Sequence, residues 1–387
     1  MFLQKLLEDN RPLAQVAFQW QQDGTILPDT YLLDLDQIRQ NGRVMMESGK
    51  KNGVQLYFML KQLGRNPLVA KALMEEGFAG AVCVDYREAL TMVENGIPLG
   101  NVGHLVQVPQ ALVRRIVAAR PQVITVYSLE KAQQIGAAAQ ELGLVQPIQL
   151  RVLGRGDMLY SGQYGGFALE TLGETVTALE AVQGVRIAGV CSFPCFLFDE
   201  KANDILPTPN METVQQAAQL LRARGYTGLQ LNMPSATCTH SIPMIATAGG
   251  THGEPGHGLT GTTPYHAEHP EAAEKTAYVY VSEISHAVGD SSFCFGGGHY
   301  RRGHLQNALV GTCLEDAALV PAVPPTDESI DYHFELKNRC KVGECALMCF
   351  RTQMFVTRSE IAVVEGLHSA KPRLAGIYDV NGRRLRG

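Results

Sequence analysis

Through the first two thirds of the chain, short runs of apolar residues alternate with longer segments of mixed apolar and polar residues. Between these runs lie five longer segments whose apolar residues are spaced as on one helix face, and several of them end in glycine; they cover residues 66–77, 86–96, 109–120, 129–143 and 211–225. Repeated strand–helix units predict parallel strands joined by right-handed crossovers. The short apolar runs typical of buried strands cover residues 54–60, 79–84, 99–105, 122–127, 147–153, 185–192 and 228–233.

The number of units favours one architecture. Seven strands are visible, and residues 241–248 (SIPMIATA) supply a candidate eighth. Eight units predict an α/β fold of the (β/α)8 TIM barrel type over an open doubly wound sheet. After about residue 270 the segments become short and rich in β-branched and aromatic residues, QMFVT (353–357) among them. We expect a barrel over residues 28–265 and a C-terminal antiparallel β domain over residues 266–387, with residues 1–27 packing against the β domain.

Composition narrows the function classes. The chain is 45% hydrophobic and 18% charged, with a net charge of −5 and no basic run, which argues against a nucleic-acid partner. No segment approaches the roughly 18–20 uninterrupted apolar residues of a membrane helix, and the charged N-terminus does not resemble a signal peptide. The nine cysteines form no CxxC pair, so we expect reduced thiols, a cytoplasmic protein and no metal site.

Lys61 directly follows the apolar run LYFML, at the carboxyl end of the first predicted barrel strand. The chemistry of a (β/α)8 barrel lies at these strand ends. A lysine buried there is more readily neutral, and a neutral amine can form a Schiff base. From position alone, a lysine that ends a strand and reaches solvent accounts for the pattern equally well.

The stretch GGTHGEPGHGLTG (249–261) is the most glycine-rich in the chain. Glycines let backbone N–H groups approach an anion closely, so this stretch is a candidate phosphate cradle, although such loops are usually only turns. It contains no GxxxxGK motif, and no GxGxxG follows an early strand. These absences argue against a nucleoside-triphosphate loop and a dinucleotide fold.

Three early segments carry a family resemblance: YLLDLDQIRQNGRVM (31–45), VQLYFMLKQLGRNPLVAKAL (54–73) and GFAGAVCVDYREALTMVENG (77–96), which includes the pair Glu88 and Ala89. They resemble the opening of the alanine-racemase-like, fold-type III pyridoxal-phosphate enzymes. This group includes amino acid racemases, basic amino acid decarboxylases and D-amino acid lyases, and the chain is most similar to its enterobacterial YhfX-type proteins. The resemblance implies pyridoxal 5'-phosphate as cofactor, a small amino acid as substrate and a homodimer.

The resemblance also implies individual roles. Lys61 falls on the Schiff-base lysine, and Glu254 on the residue that faces the pyridine nitrogen, where a carboxylate keeps the ring protonated. For Glu254 the alternative is a solvated loop residue, and for Phe193 it is apolar packing in place of ring stacking. The other cofactor-binding positions would be Arg65, Phe193, Ser235, Thr237, Gly256, His257 and Gly258.

Two further stretches are candidates for substrate contact. The loop 154–167 follows the fifth strand and offers Arg155, Gln163 and Tyr164. The segment GGGHYRRGHL (296–305) weakly resembles the one that carries the second base of alanine racemase; His299 aligns with that base and Tyr300 is adjacent, although a basic surface turn is an equal alternative.

The poorly matched substrate residues leave the reaction less certain than the cofactor. We predict an amino acid racemase or epimerase. A decarboxylase or lyase is the alternative, with Cys345 or Cys349 as a cysteine donor, and a non-catalytic pyridoxal-phosphate-binding protein is a remote one. The zinc-binding His-x-Cys of the D-amino acid lyases is absent near residues 349–354, which counts against that branch.

Overall fold

The computed structural model describes residues 2–300 and 303–387. The chain divides into two compact units, one of residues 1–42, 61–69 and 257–387 and the other of residues 43–60 and 70–256. Each unit is built around its own β-sheet. The domain boundary expected between residues 265 and 266 stays a prediction.

The second unit is a closed parallel barrel, which confirms the predicted fold class. The first strand is interrupted at Tyr57, so its first half pairs with the eighth strand and its second half with the second strand. This double pairing closes the ring. The strands are Gln55–Leu56 with Phe58–Met59, Ala81–Cys83, Leu99–Val102, Val123–Val126, Gln146–Leu153, Val185–Cys191, Gln230–Asn232 and His252–Gly253.

Helices connect successive barrel strands, as the apolar spacing predicted. The connecting α-helices include Pro67–Glu75, Tyr86–Glu94, Val113–Ala118, Leu129–Glu141, Leu172–Glu180 and Pro209–Ala223, while the helix Leu35–Asn52 precedes the first barrel strand. The helix Leu172–Glu180 has no counterpart among the predicted helical segments. Short additional elements include the strand Phe167–Ala168, the hairpin Phe196–Asp199 and Asp204–Pro207, and the 3-10 helices Gln110–Leu112 and Leu169–Thr171.

The expected eighth strand at residues 241–248 is wrong. This segment forms the helix Ile242–Thr247, whose first turn contains Pro243. Proline is pre-organised for that position, because its missing N–H has no helical partner there. Gly249, with a φ of +81°, follows the helix, and the eighth strand is the two-residue segment His252–Gly253.

The other unit contains a ten-stranded sheet in which all pairs are antiparallel except Thr30–Asp34 with Glu360–Glu365. Thr30–Asp34 belongs to this sheet although it falls within the range expected for the barrel. The helix Arg11–Gln22 packs on two strands of this sheet. The sheet runs in the order Ser291–Phe295, His333–Leu336, Ala318–Val323, Asn307–Gly311, Cys345–Met348, Tyr278–Val288, Thr30–Asp34, Glu360–Glu365, Arg373–Tyr378 and Arg384–Arg386.

Two details of this unit differ from expectation. The segment 353–357, expected as a strand, forms the 3-10 helix Met354–Val356. The strand Ala318–Val323 was not anticipated, because its alternating burial includes an exposed leucine and a proline that weaken the pattern. The remaining helices are Phe2–Asp9, Pro264–Glu268 and the 3-10 turn His257–Thr260. Within the described part of the chain, no helix is both long and apolar enough to span a membrane.

Candidate active site

Lys61 is half-buried and directly follows the first barrel strand. The residue before it, Leu60, donates its backbone N–H to Oε1 of Glu88 over 3.2 Å. Oε2 of Glu88 accepts the backbone N–H of Val84 over 2.9 Å. Glu88 therefore ties together the carboxyl ends of the first two barrel strands, where the chain turns toward Lys61.

In the other unit, the turn that begins at Lys61 is held by His257. The imidazole Nε2 donates to the carbonyl of Thr352 over 2.8 Å, and Nδ1 lies 3.4 Å from Nε2 of Gln62. Burial, reinforced by the charge of Arg351, holds the pKa of His257 well below its usual range. A neutral ring with its proton on Nε2 satisfies both contacts, so His257 links this turn to Thr352.

Arg65 lies in the same turn and is almost fully buried. Its Nη1 donates to Oδ1 of Asn381 over 2.7 Å, and its guanidinium lies 5.2 Å from the ring centre of Phe355. The structure thus shows the predicted phosphate-binding arginine bound to a side chain of the C-terminal segment. Its role toward a phosphate stays a prediction.

Glu254 follows the eighth barrel strand and is buried, so it is not a solvated loop residue. Its Oε1 accepts from Nδ2 of Asn101 over 2.9 Å and from Nδ2 of Asn232 over 2.5 Å. Nε2 of His104 lies 3.6 Å from Oε2. The backbone N–H of Glu254 lies 3.4 Å from Oγ1 of Thr237, which brings two predicted cofactor-binding residues together.

Phe193 lies in an aromatic row at the same end of the barrel. Its ring meets that of His104 edge-on, with centres 5.5 Å apart, and lies 5.8 Å from Tyr160. Tyr160 belongs to the loop after the fifth strand, which Asp157 anchors by accepting from Oγ1 of Thr213 over 2.7 Å and from the N–H of Gly154 over 2.8 Å.

The substrate loop does not bury the arginine expected from the sequence. Arg155 is exposed, as is Tyr164 with 67% of its surface accessible, whereas Gln163 is half-buried. The buried arginine is Arg151, in the fifth strand itself. Its Nη2 donates to the carbonyl of Gln163 over 3.1 Å.

Arg151 is the functional candidate that sequence reasoning missed. Its Nη1 donates to the hydroxyl of Tyr127 over 2.9 Å, and its guanidinium lies 5.1 Å from that ring centre. Burial raises the pKa of Tyr127 to about 12, so the hydroxyl stays neutral. Nε of Arg151 is buried without a hydrogen-bond partner, and no described carboxylate pairs with it. The sequence feature that could have identified Arg151 is a pair of polar residues, Gln149 and Arg151, two positions apart within an otherwise apolar strand.

The turn after the seventh strand holds the predicted phosphate-binding serine. Ser235 and Ala236 both have left-handed backbones, with φ of +98° and +49°. This conformation is unfavourable for residues with a Cβ, by about 1–3 kcal/mol each, and is concentrated at functional sites. Gly256 and Gly258 are also buried, and Gly258 lies in the 3-10 turn after Glu254.

His299 and Tyr300 lie in the β unit and are half-buried. The His299 ring lies 5.9 Å from the ring centres of both Phe334 and Phe350. The carbonyl of Tyr300 accepts the N–H of Gly303 over 2.7 Å. Their role as a second base stays a prediction.

Comparisons with known proteins agree with this fold and also indicate the family of the chain. Residues 33–264 match the family model of the alanine racemase N-terminal domain, and residues 279–374 match that of the YhfX-like C-terminal domain. The chain is 42% identical over 386 residues to "Uncharacterized protein YhfX" of Escherichia coli (strain K12), with 100% of both chains covered.

Solved structures with the same fold belong to enzymes that are named for different reactions. D-threonine aldolase from Filomicrobium marinum matches with a TM-score of 0.65 and 16% identity, over 92% of this chain and 95% of that one. Alanine racemase of Clostridium difficile 630 matches with a TM-score of 0.65 and 15% identity, over 92% and 99%. A D-threo-3-hydroxyaspartate dehydratase matches with a TM-score of 0.66 and 16% identity, over 93% and 95%.

At these identities the solved structures establish the fold alone, while the two family models cover most of the chain. Members of the matched family are pyridoxal-phosphate enzymes, among them racemases, lyases and dehydratases. The chain belongs to the alanine-racemase-like, fold-type III family, in the branch with a YhfX-like C-terminal domain.

Proposed function

We propose that the chain is a pyridoxal-phosphate-dependent amino acid racemase or epimerase, in which Lys61 holds the cofactor. The observation that carries this proposal is the placement of Glu254. It follows the eighth strand of the barrel, which pairs with the first strand, and Lys61 directly follows that first strand. Both residues therefore come at the carboxyl ends of neighbouring strands, where barrel enzymes carry their chemistry.

The polar groups at this end of the barrel suit pyridoxal phosphate. The cofactor supplies an electron sink for the electron pair left on Cα when a proton is removed. Glu254 is a carboxylate held by two amide donors, which suits a protonated ring nitrogen. We assign the phosphate to Ser235, Thr237, Arg65 and the backbone around Gly256 and Gly258, and ring packing to Phe193.

The environment of Arg151 is an argument for a negatively charged group on the substrate. A buried guanidinium without a carboxylate partner is unfavourable unless an anion completes it. The carboxylate of an amino acid is such an anion, and Arg binds carboxylates with two parallel hydrogen bonds. We therefore assign carboxylate binding to Arg151, with Gln163 beside it.

Racemisation needs a proton donor and acceptor on each face of Cα. We assign one face to Lys61 and the other to His299 or Tyr300. The family resemblance implies an active site shared between two subunits, so we infer a homodimer in which His299 acts on the partner's site. We also infer a cytoplasmic protein, because its cysteines are free thiols.

Decarboxylation or a lyase reaction is the second candidate, because an aldolase and a dehydratase match this fold as closely as a racemase does. The two cysteines considered as decarboxylase donors are both buried: Cys345 begins the strand Cys345–Met348, and Cys349 directly follows it. Burial raises the pKa of Cys345 and Cys349 well above the usual thiol range. Such thiols are poorly placed to reach a substrate, which favours racemisation over decarboxylation.

The test of the cofactor assignment is spectroscopic. Protein incubated with pyridoxal 5'-phosphate should absorb at roughly 410–430 nm, and borohydride should abolish the band. Lys61→Ala should lack the band. Lys50→Ala is the matched control, because Lys50 is an exposed helical lysine. An undiminished absorption band in Lys61→Ala would contradict the proposal that Lys61 holds the cofactor.

The reaction type is tested separately. Cα deuterium exchange across D- and L-amino acids, followed together with CO2 release, distinguishes the candidates. Exchange with interconversion of the D and L forms and without CO2 supports racemisation, CO2 release supports decarboxylation, release of an aldehyde or of ammonia supports a lyase, and a bound cofactor with none of these supports a non-catalytic role. If subunits share sites, mixing Lys61→Ala with His299→Ala protein should restore roughly a quarter of the wild-type sites by random pairing.

A further inference from the structure

A directed series of hydrogen bonds crosses the barrel interior and ends on Glu254. Nε2 of Gln149 donates to Oγ1 of Thr125 over 3.3 Å. Oγ1 of Thr125 donates to Oδ1 of Asn101 over 2.7 Å, and Nδ2 of Asn101 donates to Oε1 of Glu254 over 2.9 Å. The side chains come from the fifth, fourth and third barrel strands in turn.

The direction of this series follows from the donors. A threonine hydroxyl has one proton, and Thr125 places it on the oxygen of Asn101. The Asn101 amide is therefore held with its NH2 group toward Glu254. If the Asn101 amide were flipped, its oxygen would face the carboxylate oxygen of Glu254, and the Thr125 hydroxyl would meet an NH2 group in place of an acceptor.

Asn232, from the seventh strand, completes the arrangement by donating to the same Oε1. Asn101, Thr125, Gln149 and Asn232 are all fully buried. The interior of a (β/α)8 barrel is usually filled by branched apolar residues. Buried polar side chains are unfavourable unless their hydrogen bonds are satisfied, so this polar layer is an exception that requires a reason.

We infer that Thr125, Asn101 and Asn232 are positioning residues that hold Glu254 as an ionised carboxylate directed at the pyridine nitrogen of the cofactor. Two N–H donors on one oxygen stabilise the carboxylate over the acid. They also restrict its rotation, because both donors are buried and Asn101 is itself held by the hydrogen bond from Thr125. The inference rests on the proposed function and adds the residues that set the charge and direction of Glu254.

Thr125 offers the sharpest test, because it touches Glu254 only through Asn101. Thr125→Val keeps the shape and removes the hydroxyl, and Thr125→Ser keeps the hydroxyl as the matched control. The readout is the ratio of affinities for pyridoxal 5'-phosphate and its 1-deaza analogue, in which carbon replaces the ring nitrogen. General damage to the fold weakens the binding of both ligands alike and leaves the ratio of their affinities unchanged.

We expect the wild-type protein and Thr125→Ser to prefer pyridoxal phosphate, and Thr125→Val to lose about tenfold of that preference. Asn101→Leu should lose it as well. If both variants keep the wild-type ratio, the inference is overturned.

A second measurement on the cofactor-free protein keeps the inference separate from the proposed function. The infrared difference between wild-type protein and Glu254→Gln isolates the carboxylate stretch of Glu254. We expect this band to shift in Thr125→Val and not in Thr125→Ser, and an unshifted band overturns the inference. If the wild-type protein shows no preference for the ring nitrogen, the proposed contact of Glu254 fails, and the infrared band alone decides whether the series positions Glu254.

Discussion

The backbone N–H of Leu60 donates to the carboxylate of Glu88 over 3.2 Å, one residue before Lys61. Glu88 lies in the helix Tyr86–Glu94 that follows the second barrel strand, and its other oxygen accepts from Val84. A single buried carboxylate thus satisfies two backbone donors at adjacent strand ends. The direction in which the chain leaves the first strand, and so the position of Lys61, depends on it.

Replacing Glu88 should therefore affect stability and cofactor binding together. Glu88→Ala leaves two buried N–H groups without an acceptor, and each costs about 1–3 kcal/mol. We expect the free energy of unfolding in urea to fall by roughly 2–6 kcal/mol and the affinity for pyridoxal phosphate to fall with it.

Glu94→Ala is the control on the same helix. The Glu94 side chain is 62% exposed and pairs with Arg115 at 3.0 Å, a surface contact of little energetic value. Its unfolding free energy should change by no more than about 0.5 kcal/mol. Equal stability of the two variants would contradict the role given to Glu88.

Arg151 and Arg155 form a matched pair, one buried and one exposed on the following loop. Arg151→Met removes hydrogen bonds but also an uncompensated buried charge, so we expect stability to change by no more than about 2 kcal/mol. The KM for the amino acid substrate should rise about tenfold or more, because the carboxylate loses a buried charged partner. Arg155→Met should leave KM unchanged. A raised KM in Arg155→Met and an unchanged KM in Arg151→Met would instead indicate that Arg155 binds the substrate.

Asp29, in the β unit, should make stability depend on pH. Burial raises its pKa to about 6, against the lowering effects of hydrogen bonds from Ser359 and Tyr280 and of the charge of Arg358, while Glu360 adds to the rise. Its ordinary value is 3.8, so between roughly pH 4 and 6 the folded chain binds more protons than the unfolded chain. This contribution therefore lowers stability as the pH rises through that window.

Asp29→Asn removes this titration. Asparagine tolerates the φ of +65° at this position and keeps an oxygen for the two hydroxyl donors. At pH 7 we expect the free energy of unfolding to rise by an amount on the order of 2 kcal/mol. Urea titrations from pH 4 to 7 should show a smaller slope than those of Asp23→Asn, an exposed control. An unchanged slope would show that Asp29 is not the titrating group.

Much of the barrel was predictable because its signals are local. Seven strands and five connecting helices follow from apolar spacing, and glycine or proline marks several of their ends. The eighth strand was missed because two residues, His252–Gly253, are too few to form a pattern. Residues 241–248 resembled a strand in composition, but Pro243 and the following glycine favour a short helix.

By itself, the sequence determined the alternation of strands and helices, the place of Lys61 at a strand end and the presence of a glycine-rich loop around Glu254. These depend on neighbours a few positions apart. Only the tertiary structure decided which polar side chains meet Glu254. Asn101, Thr125, Gln149 and Asn232 lie on separate strands, and a polar residue inside an apolar strand does not reveal its partner. Closure of the barrel brings them together, because inward-facing side chains of different strands meet in its interior.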